Sequence, residues 1–503
     1  MKKLAAADAS FLYAETNKCT SNIASVNMMI LPEGMTSKEF IENLKQYLSD
    51  RSHLVDYMTR KLAFVPGNWD HPVWVQDRDF DINNHVIEYP VEAPGGRAEM
   101  EDAVARIHEI KMPLDRPLWA WWILTGLEGG KIAVYNQAHH ATLDGASGNA
   151  AYVTLMDETP DHPEVEPPTG EIAEDDDSPL RLLEDAFQNF LRFQMESGKR
   201  MIGAMDTSRR LMQRSLDPSK DFGALGKVAP KTPFNTHISE KRTWVTAEMP
   251  LADVKAMGKS VSGTVNDIVM AVCAGGLRSY LERKGELPEE SLIAGCPVSL
   301  RKPGDSTPGT QVTMMNVELG TEIADPLERI FAIRASSETA KEMVAELAGV
   351  FEGNAAVPGM PAVVSANINA VESFGLAQWF RGPINVCISN VPGPRNTLYA
   401  NSAEMTTHYP VSIATHGIGL NITVQSYRDQ LFWGITACGK AVPDAAELRD
   451  DLIETFRSLR ARLLPTNVSE LKPKTTVAAP AKQAMTEVSR ENQQESVQED
   501  KVA

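Results

Sequence analysis

An acidic, proline-rich stretch in the first half of the chain is the feature that most constrains the fold. Between Asp157 and Asp177 the sequence carries ten Asp or Glu residues and no Lys or Arg, and five prolines fall between Pro160 and Pro179. Such a composition cannot bury a core, so it predicts a solvated linker. The 503-residue chain should therefore fold as two bodies, one on each side of this segment.

Residues 1–156 alternate between strand-like and helical patterns, which indicates an α/β or α+β lobe. The predicted elements are strands at 26–31, 119–124 and 131–138 and helices at 98–111 and at 37–48, the latter capped by Thr36 or Ser37.

Residues 237–464 predict a second lobe that also mixes strands and helices. Its predicted elements are strands at 242–247, 292–297, 385–389 and 420–426 and helices at 265–283, 326–347 and 444–464. Polar residues dominate 465–503, which predicts a disordered tail. The chain thus divides into an N-terminal lobe (1–156), a linker with a helical segment (157–236), a C-terminal lobe (237–464) and the tail.

The pattern of residues 178–215 predicts a long helix between the lobes. Leu183, Phe187, Phe190 and Leu191 follow helical spacing. Basic residues gather towards its end, at Arg192, Lys199, Arg200, Arg209, Arg210 and Arg214. Two interpretations stay open: a helix packed on the lobes, or a basic amphipathic helix that touches a lipid surface.

Charge and cysteine usage narrow the partners and the compartment. The net charge of −18 argues against a nucleic-acid partner, which would require a basic surface. The five cysteines are scattered, odd in number and without a Cys-x-x-Cys pair, as expected of a reducing, intracellular compartment. We find neither a signal-peptide core nor an apolar window long enough to span a bilayer, so any membrane contact should be peripheral.

The segment HHATLDG, residues 139–145, is the most distinctive chemical feature. Motifs of serine hydrolases, zincins and P-loop proteins are absent from the sequence. Two imidazoles and a carboxylate stand where a predicted strand ends, and Gly145 lets the backbone turn tightly there. A neutral imidazole, with an ordinary pKa of about 6.5, is well matched to removing a proton from a hydroxyl group near neutral pH.

The residues alone leave three interpretations of this segment. His140 and Asp144 could bind a metal ion, but no further concentration of His, Cys or acidic residues completes a site. Both histidines could be purely structural. The interpretation favoured is a general base that works without a metal ion.

The same segment resembles the His-His-x-x-x-Asp-Gly signature of the CoA-dependent acyltransferase superfamily. That superfamily includes chloramphenicol acetyltransferase, peptide-synthetase condensation domains and the bacterial wax ester synthase/diacylglycerol acyltransferases. Five companion blocks resemble the last of these families in the same order: PLDRPLW at 113–119, VNDIVMA at 265–271, CPVSLR at 296–301, GTQ at 309–311 and ISNVPGP at 388–394, whose Pro-Gly-Pro predicts a rigid turn. The resemblance covers about residues 1–464.

The resemblance implies an α/β fold of two chloramphenicol-acetyltransferase-like lobes, each a mixed sheet with helices, that meet at an active-site tunnel. Acyl-CoA would enter from one side and a long-chain alcohol or diacylglycerol from the other. The products would be wax ester or triacylglycerol. Acyl-CoA is a substrate in this reaction, so no cofactor and no metal are implied. The expected location is cytoplasmic, with peripheral contact to the inner membrane, lipid inclusions or a lipid droplet.

The resemblance also implies roles for individual residues in a direct transfer. His140 would be the general base and His139 a positioning residue, and no serine or cysteine nucleophile would be needed. Asn266 would donate to the oxyanion or position the reactants. The alternative for Asn266 is a helix cap before the apolar run 268–272.

Further residues are expected to support the site. Asp144 would form a structural ion pair with Arg301, which could equally be a solvated loop arginine, and Gly145 would shape the turn. The acceptor side would be lined or supported by Pro117, Leu118 and Trp119. No contiguous basic loop identifies the ligands of the CoA phosphates.

Two rival functions remain. The first is another CoA-dependent or carrier-protein-thioester-dependent acyltransferase, such as a condensation domain, although no carrier-like segment is apparent in the sequence. The second is a non-catalytic lipid-droplet-binding protein anchored by the helical segment. Intact His140 and Asn266 argue against the second.

Overall fold

The computed structural model of the chain describes residues 1–143, 145–167, 175–217, 220, 222–299, 312–351, 360–378 and 381–464. Met1–Leu464 form one compact unit and Pro465–Ala503 form another. The second unit, and with it the predicted disordered tail, lies outside the described residues.

The described strands, numbered in chain order, are β1 (Lys2–Lys3), β2 (Asn22–Ile30), β3 (Arg60–Ala63), β4 (Val73–Gln76), β5 (Val86–Pro90), β6 (Trp119–Thr125), β7 (Ile132–His139), β8 (Arg242–Pro250), β9 (Ile293–Ser299), β10 (Val312–Glu318), β11 (Val386–Val391), β12 (Tyr399–Ala400), β13 (Ala403–Met405), β14 (Tyr409–Val411), β15 (Leu420–Tyr427) and β16 (Gln430–Cys438). The described α-helices are α1 (Ala6–Ala14), α2 (Ser37–Arg51), α3 (Arg97–His108), α4 (Gly145–Leu155), α5 (Pro179–Ser215), α6 (Leu251–Ser260), α7 (Val265–Arg283), α8 (Pro326–Phe351), α9 (Met360–Ser373) and α10 (Ala445–Leu463).

Local sequence signals explain where the helices begin. Helix α2 starts at a capping box, in which Thr36 Oγ1 accepts from the Glu39 N–H at 3.2 Å and Glu39 Oε2 accepts from the Thr36 N–H at 2.9 Å. The predicted cap at Thr36 is therefore confirmed. Helix α7 starts at an equivalent box formed by Thr264 and Asp267.

The first large sheet has the order β12-β13-β2-β7-β6-β5, and β14 also pairs with β2. The pairs β2–β7 and β7–β6 are antiparallel, whereas β5 pairs with β6 in parallel. Aromatic and β-branched residues such as Trp119, Ile123 and Tyr135 form its core, as expected of strands packed on a pleated surface. This sheet carries the histidine motif at the end of β7.

The second large sheet has the order β10-β9-β11-β15-β16-β8. Helix α7, which has the bounds predicted from the sequence, is buried along most of its length between this sheet, α8 and α10. No single described helix is long and apolar enough to cross a bilayer, although α6 and α7, bent by 97° at a short break, pass that test as a pair by length and composition.

The two large sheets are interlocked by strands from the second half of the chain. Strands β12, β13 and β14 belong to the first sheet, although they lie in the sequence between β11 and β15 of the second. Where β14 crosses β16, a Cβ atom at Gly434 would lie 1.7 Å from the Pro410 carbonyl oxygen. Only glycine permits this approach, so backbone-to-backbone contact joins the two sheets.

Helix α5 confirms the predicted helix at 178–215 and packs on the first lobe by a narrow face. Leu182 and Ala186 are buried against valines of β4 and of the segment after β3. The predicted stripe lies elsewhere on the helix, since Leu183 and Phe187 are 41% and 61% exposed. The helix is therefore packed and also presents apolar side chains to solvent.

The basic residues of α5 do not form one surface. Arg214 is only 4% exposed, and its guanidinium lies 2.7 Å from Glu346 and 3.5 Å from Glu342 of α8. Including Arg214 in an exposed basic cluster was therefore wrong, because this residue joins two helices. The side chains of Lys199 and Arg200 lie outside the described part of the structure.

Candidate active site

The two motif histidines lie at the end of β7, where the backbone is held on both sides. The His139 N–H donates to the Leu118 carbonyl at 3.0 Å, and the His140 N–H donates to the Ser21 carbonyl at 2.8 Å. Successive side chains of an extended segment point in opposite directions. The two imidazoles therefore enter different surroundings.

His139 is completely buried and its tautomer follows from its contacts. Its Nδ1 accepts a hydrogen bond from the Ala141 N–H at 3.0 Å, so the proton of the neutral ring resides on Nε2. That Nε2 lies 3.7 Å from Glu15 Oε1. His139 thus directs an N–H towards a carboxylate.

Glu15, at the end of α1, is the buried acid behind the motif. Burial alone would raise the pKa of this carboxyl group, but the proton-bearing nitrogen of His139, the Lys111 ammonium and the Ser21 N–H together hold the pKa below its ordinary value. Glu15 therefore stays ionised. Sequence reasoning missed it because nothing in the sequence links it to residue 139.

His140 is half-buried and stacks on Phe11 of α1. The ring centroids are 3.7 Å apart and the planes differ by 16°. The stacked ring restricts how the imidazole can rotate, which fixes the direction of its nitrogen atoms. Helix α1 was not among the predicted elements, so Phe11 was also missed.

His140 opens onto a cavity of about 150 Å³ that lies between the two large sheets. One wall comes from β2, β7, α4 and β14, and the other comes from β11 and β15. Its lining is Ile23, Ala24, Ser25, Asn136, Ala138, His140, Leu143, Gly148, Asn149, Tyr152, Ser389, Val391, His408, Pro410, Val411, Ser412, Thr423 and Gln425. None of these described lining residues is Asp, Glu, Lys or Arg, so this wall suits uncharged groups.

One contact of α4 joins the two walls of the cavity. Asn149 Nδ2 donates to the Pro392 carbonyl at 2.6 Å, and Asn149 Oδ1 accepts from Gln425 Nε2 at 2.6 Å. The turn at Pro392 requires Gly393, because a Cβ atom there would lie 2.1 Å from the Ser426 carbonyl oxygen. The predicted Pro-Gly-Pro turn therefore sits against the first lobe at the cavity.

A buried polar cluster forms part of the same wall. The Tyr152 hydroxyl accepts from Asn136 Nδ2 at 2.5 Å and from Asn27 Nδ2 at 3.1 Å, and it also hydrogen-bonds to Ser25 Oγ. His408 Nδ1 donates to Asn27 Oδ1 at 2.8 Å. These residues come from β2, β7, α4 and the segment before β14.

The structure separates the other predicted residues from this cavity. Asn266 lies in the first turn of α7, and the helix cap there is Thr264, so the cap interpretation of Asn266 is wrong. Asn266 is not among the described residues that line the cavity. Its role towards the oxyanion stays a prediction.

Pro117, Leu118 and Trp119 are buried and support the motif from behind. The Leu118 carbonyl holds the His139 N–H, and Trp119 Nε1 donates to the Met58 carbonyl at 2.9 Å. His85 stacks on Trp119 at 4.4 Å. None of the three predicted residues lines the cavity described above, so direct contact with a substrate stays a prediction.

Two predicted residues cannot be placed, because Asp144 and Arg301 lie outside the described residues. Gly145 is the first residue of α4, so the motif leads into a helix, and its predicted role in a tight turn stays a prediction. Within the described ranges, no group of three His, Cys, Asp or Glu side chains gathers into a metal-binding cluster.

Solved structures of similar fold define the class to which this architecture belongs. The wax ester synthase/diacylglycerol acyltransferase from Marinobacter aquaeolei VT8 superposes with a TM-score of 0.64 at 24% identity, over 92% of this chain and 100% of that one. The first condensation domain of the CDA synthetase superposes with a TM-score of 0.50 at 14% identity, over 92% and 96%. The predicted fold class is therefore confirmed, whereas the tunnel itself stays a prediction.

Sequence comparison then gives the family. The pattern of the wax ester synthase/diacylglycerol acyltransferase catalytic domain matches residues 4–269, and that of the WS/DGAT C-terminal domain matches residues 308–460. A protein of Mycobacterium tuberculosis strain H37Rv, whose name provisionally assigns it diacylglycerol O-acyltransferase activity, is 30% identical over 91% of this chain and 90% of its own. The chain belongs to the wax ester synthase/diacylglycerol acyltransferase family. It is an acyltransferase, and its family implies an acyl donor and a lipid acceptor.

Proposed function

We propose that the protein transfers the acyl group of a long-chain acyl-CoA to the hydroxyl group of a long-chain alcohol or of diacylglycerol. The observation that carries the proposal is the position of His140, which opens onto a cavity between the two sheets whose described lining residues carry no charged Asp, Glu, Lys or Arg side chain. The names of the Mycobacterium and Marinobacter relatives support this choice of acceptors.

His140 acts as the general base in this mechanism. It takes the proton of the acceptor hydroxyl as the oxygen attacks the thioester carbonyl carbon, and a C–O bond forms. The tetrahedral intermediate collapses with cleavage of the C–S bond, and the CoA thiolate recovers the proton from the imidazolium. The stacked Phe11 ring keeps the imidazole in one orientation during both transfers.

Two further assignments complete the mechanism. Asn266 donates to the oxygen that becomes negative in the intermediate, since a neutral amide aimed at an oxyanion can lower the barrier by about 3–4 kcal/mol. Acyl-CoA is consumed as a substrate, so the reaction as written uses no resident cofactor.

The direct test follows free thiol with palmitoyl-CoA as donor and three arms: hexadecanol, 1,2-dipalmitoylglycerol and no acceptor. We expect thiol release that depends on an acceptor, with a matching amount of ester on thin-layer chromatography. Release without ester would indicate hydrolysis. No release with either acceptor, together with tight lipid binding, would favour the non-catalytic rival, and transfer only from a carrier-bound thioester would favour a condensation-type enzyme.

We also propose that the enzyme works at an anionic lipid surface, on the cytoplasmic side of the inner membrane or on lipid inclusions. Both proposed products are nearly insoluble in water, and α5 presents Phe187, 61% exposed, and Met195, 76% exposed. Farther along the helix, Arg209 and Arg210 are exposed and pair with Asp206 of the same helix. Apolar and basic side chains on one helix are the combination that binds anionic membranes.

Flotation with phosphatidylglycerol vesicles tests this contact. The double variant Arg209→Gln/Arg210→Gln should bind about threefold to tenfold more weakly, because a basic residue near an anionic surface contributes about 1 kcal/mol. Arg457→Gln is the matched control, since Arg457 is equally exposed and also pairs with an acid three residues earlier. Added salt should weaken wild-type binding in the same way. Equal binding by all variants would show that α5 is only a packing helix.

A further inference from the structure

Two residues that line the cavity each carry a buried hydrogen-bond acceptor without a described partner, and the mechanism above uses neither acceptor. The acceptors are His408 Nε2 and Asn136 Oδ1, which find no hydrogen-bond partner among the described residues. Both residues line the cavity onto which His140 opens. A buried acceptor that lost its water on folding is costly unless a donor reaches it.

The tautomer of His408 is fixed by its neighbours. Asn27 directs its Nδ2 towards the Tyr152 hydroxyl and Ser25 Oγ, so its Oδ1 remains to accept from His408. The proton of the imidazole must therefore lie on Nδ1, which is 2.8 Å from that oxygen. His408 Nε2 consequently carries a lone pair.

His408 remains neutral because it is completely buried. Burial lowers its pKa to about 3, and no charged side chain is among the described residues that line the cavity. The Asn136 side chain is fixed in orientation, because its Nδ2 donates to the Tyr152 hydroxyl at 2.5 Å. The pair thus forms an acceptor site that cannot donate.

An acceptor pair selects among the groups of the proposed reaction. A thioester carbonyl and an acyl chain carry no hydrogen-bond donor, and the amide N–H groups of the pantetheine arm of CoA are present with every acceptor, so none of these groups distinguishes one acceptor from another. The reacting hydroxyl has one proton, and that proton goes to His140. The remaining donor that a neutral lipid acceptor can offer is a second hydroxyl group. His408, Asn136 and His140 line one cavity of about 150 Å³, so a second hydroxyl group bound there would belong to the same acceptor molecule as the reacting one.

We propose that His408 and Asn136 form a subsite for a second hydroxyl group next to the reacting one, as found in a long-chain 1,2-diol or in monoacylglycerol. This inference rests on the proposed function, because it presupposes that a hydroxyl group reacts at His140. His408 and Asn136 are positioning residues in this scheme.

Competing substrates of matched length test the subsite. Hexadecane-1,2-diol and hexadecan-1-ol differ by one hydroxyl group, and palmitoyl-CoA serves as donor for both. The wild-type enzyme should show a kcat/KM for the diol about threefold to tenfold higher, the range that one hydrogen bond provides. A wild-type ratio near one would overturn the inference, and in that outcome an ordered water molecule fills the subsite.

Variants of His408 test whether this residue causes the preference for the diol over hexadecan-1-ol. His408→Asn keeps an amide donor for Asn27 and removes the Nε2 acceptor, so the ratio of kcat/KM for the diol to that for hexadecan-1-ol should fall to about one. His408→Gln offers an acceptor near the Nε2 position and should restore part of the ratio. His71→Asn is the matched control, because His71 is also buried and bonds through Nδ1, to Tyr13, but does not line the cavity.

The outcomes separate this inference from the proposed function. Absence of thiol release in the wild type with both alcohols and with 1,2-dipalmitoylglycerol would reject the function and the subsite together. Turnover of both alcohols with the same ratio in wild type and in His408→Asn would reject the subsite alone. A loss of both rates by an equal factor in His408→Asn, without rescue in His408→Gln, would show a structural role and would also reject the subsite.

Discussion

Two consecutive histidines stand in two adjacent regions of the molecule. His139 lies in a buried pocket behind β7, formed with Glu15 and Ala141, and His140 lies at the cavity between the sheets. The pocket surrounds His139 completely and provides the Glu15 carboxylate and a backbone N–H. The cavity leaves His140 half-buried and surrounds it with neutral groups and the Phe11 ring. Strand alternation separates the two side chains. In this chain, the strand end therefore places one histidine next to a buried acid and opens the other onto the cavity.

The largest expected effect comes from His140→Ala. General-base assistance contributes about 10²–10⁴ in rate, so kcat should fall by that factor while the melting temperature stays within a few degrees. His162→Ala, at an exposed histidine outside the cavity, is the control. Retention of more than a third of the wild-type turnover would remove His140 from the mechanism.

His139→Ala should affect stability more than chemistry. The change leaves the Ala141 N–H and the Glu15 carboxylate without the imidazole, and we expect the free energy of unfolding to drop by about 2–4 kcal/mol. Denaturant unfolding measures the loss, and the remaining folded protein should keep more activity than His140→Ala. If the two variants lose stability and activity alike, the contrast between pocket and cavity fails.

Glu15→Gln tests the charge in the pocket. The pKa of Glu15 is lowered on folding, so its carboxylate stabilises the protein above the unfolded-state pKa of about 4.3, and this contribution disappears as the pH falls through the lowered value. Glu15→Gln should cost about 1–2 kcal/mol near pH 7, and the difference from wild type should shrink as the medium is acidified. Urea titrations at several pH values measure the free energy of unfolding of both proteins. A difference between them that stays constant with pH would contradict the assignment.

Phe11→Leu should have the smallest effect of the four and should act on the cavity side only. Loss of a stacked ring corresponds to about 0.5–1.5 kcal/mol, or roughly twofold to tenfold in kcat. Phe331→Leu, at a half-exposed phenylalanine of α8, provides the control. Unchanged kcat would mean that the imidazole keeps its orientation without Phe11.

Much of the fold was accessible from sequence because its signals are local. The Thr36 cap, helix α7 and the strand that ends at His139 each depend on neighbouring residues, and each is found where it was predicted. The assignment of β14 to the first sheet was not accessible, because no local signal reports which sheet a short strand joins. The need for glycine at position 434, next to the Pro410 carbonyl oxygen, can be explained only once the crossing of β14 over β16 is known.

The site was predicted in part for the same reason. Residues 139–145 are contiguous, so the motif is visible, whereas His408 and Asn27 are 381 residues apart and meet only in the folded chain. One available signal was overlooked: Asn27 and Asn136 are polar residues inside strands that are mostly apolar. A buried amide in such a position needs partners, and here those partners form the cavity wall.

The interlocked strands also set the order of events on the ribosome. The first sheet receives β14 at Tyr409–Val411, long after β2 and β7 have been synthesised. At about 5–20 residues per second, tens of seconds pass during which one edge of β2 lacks its native neighbour. An unpaired edge is a template for other chains, so the nascent lobe depends on chaperones or on rapid completion. The cavity onto which His140 opens is thus completed only after nearly the whole chain has emerged.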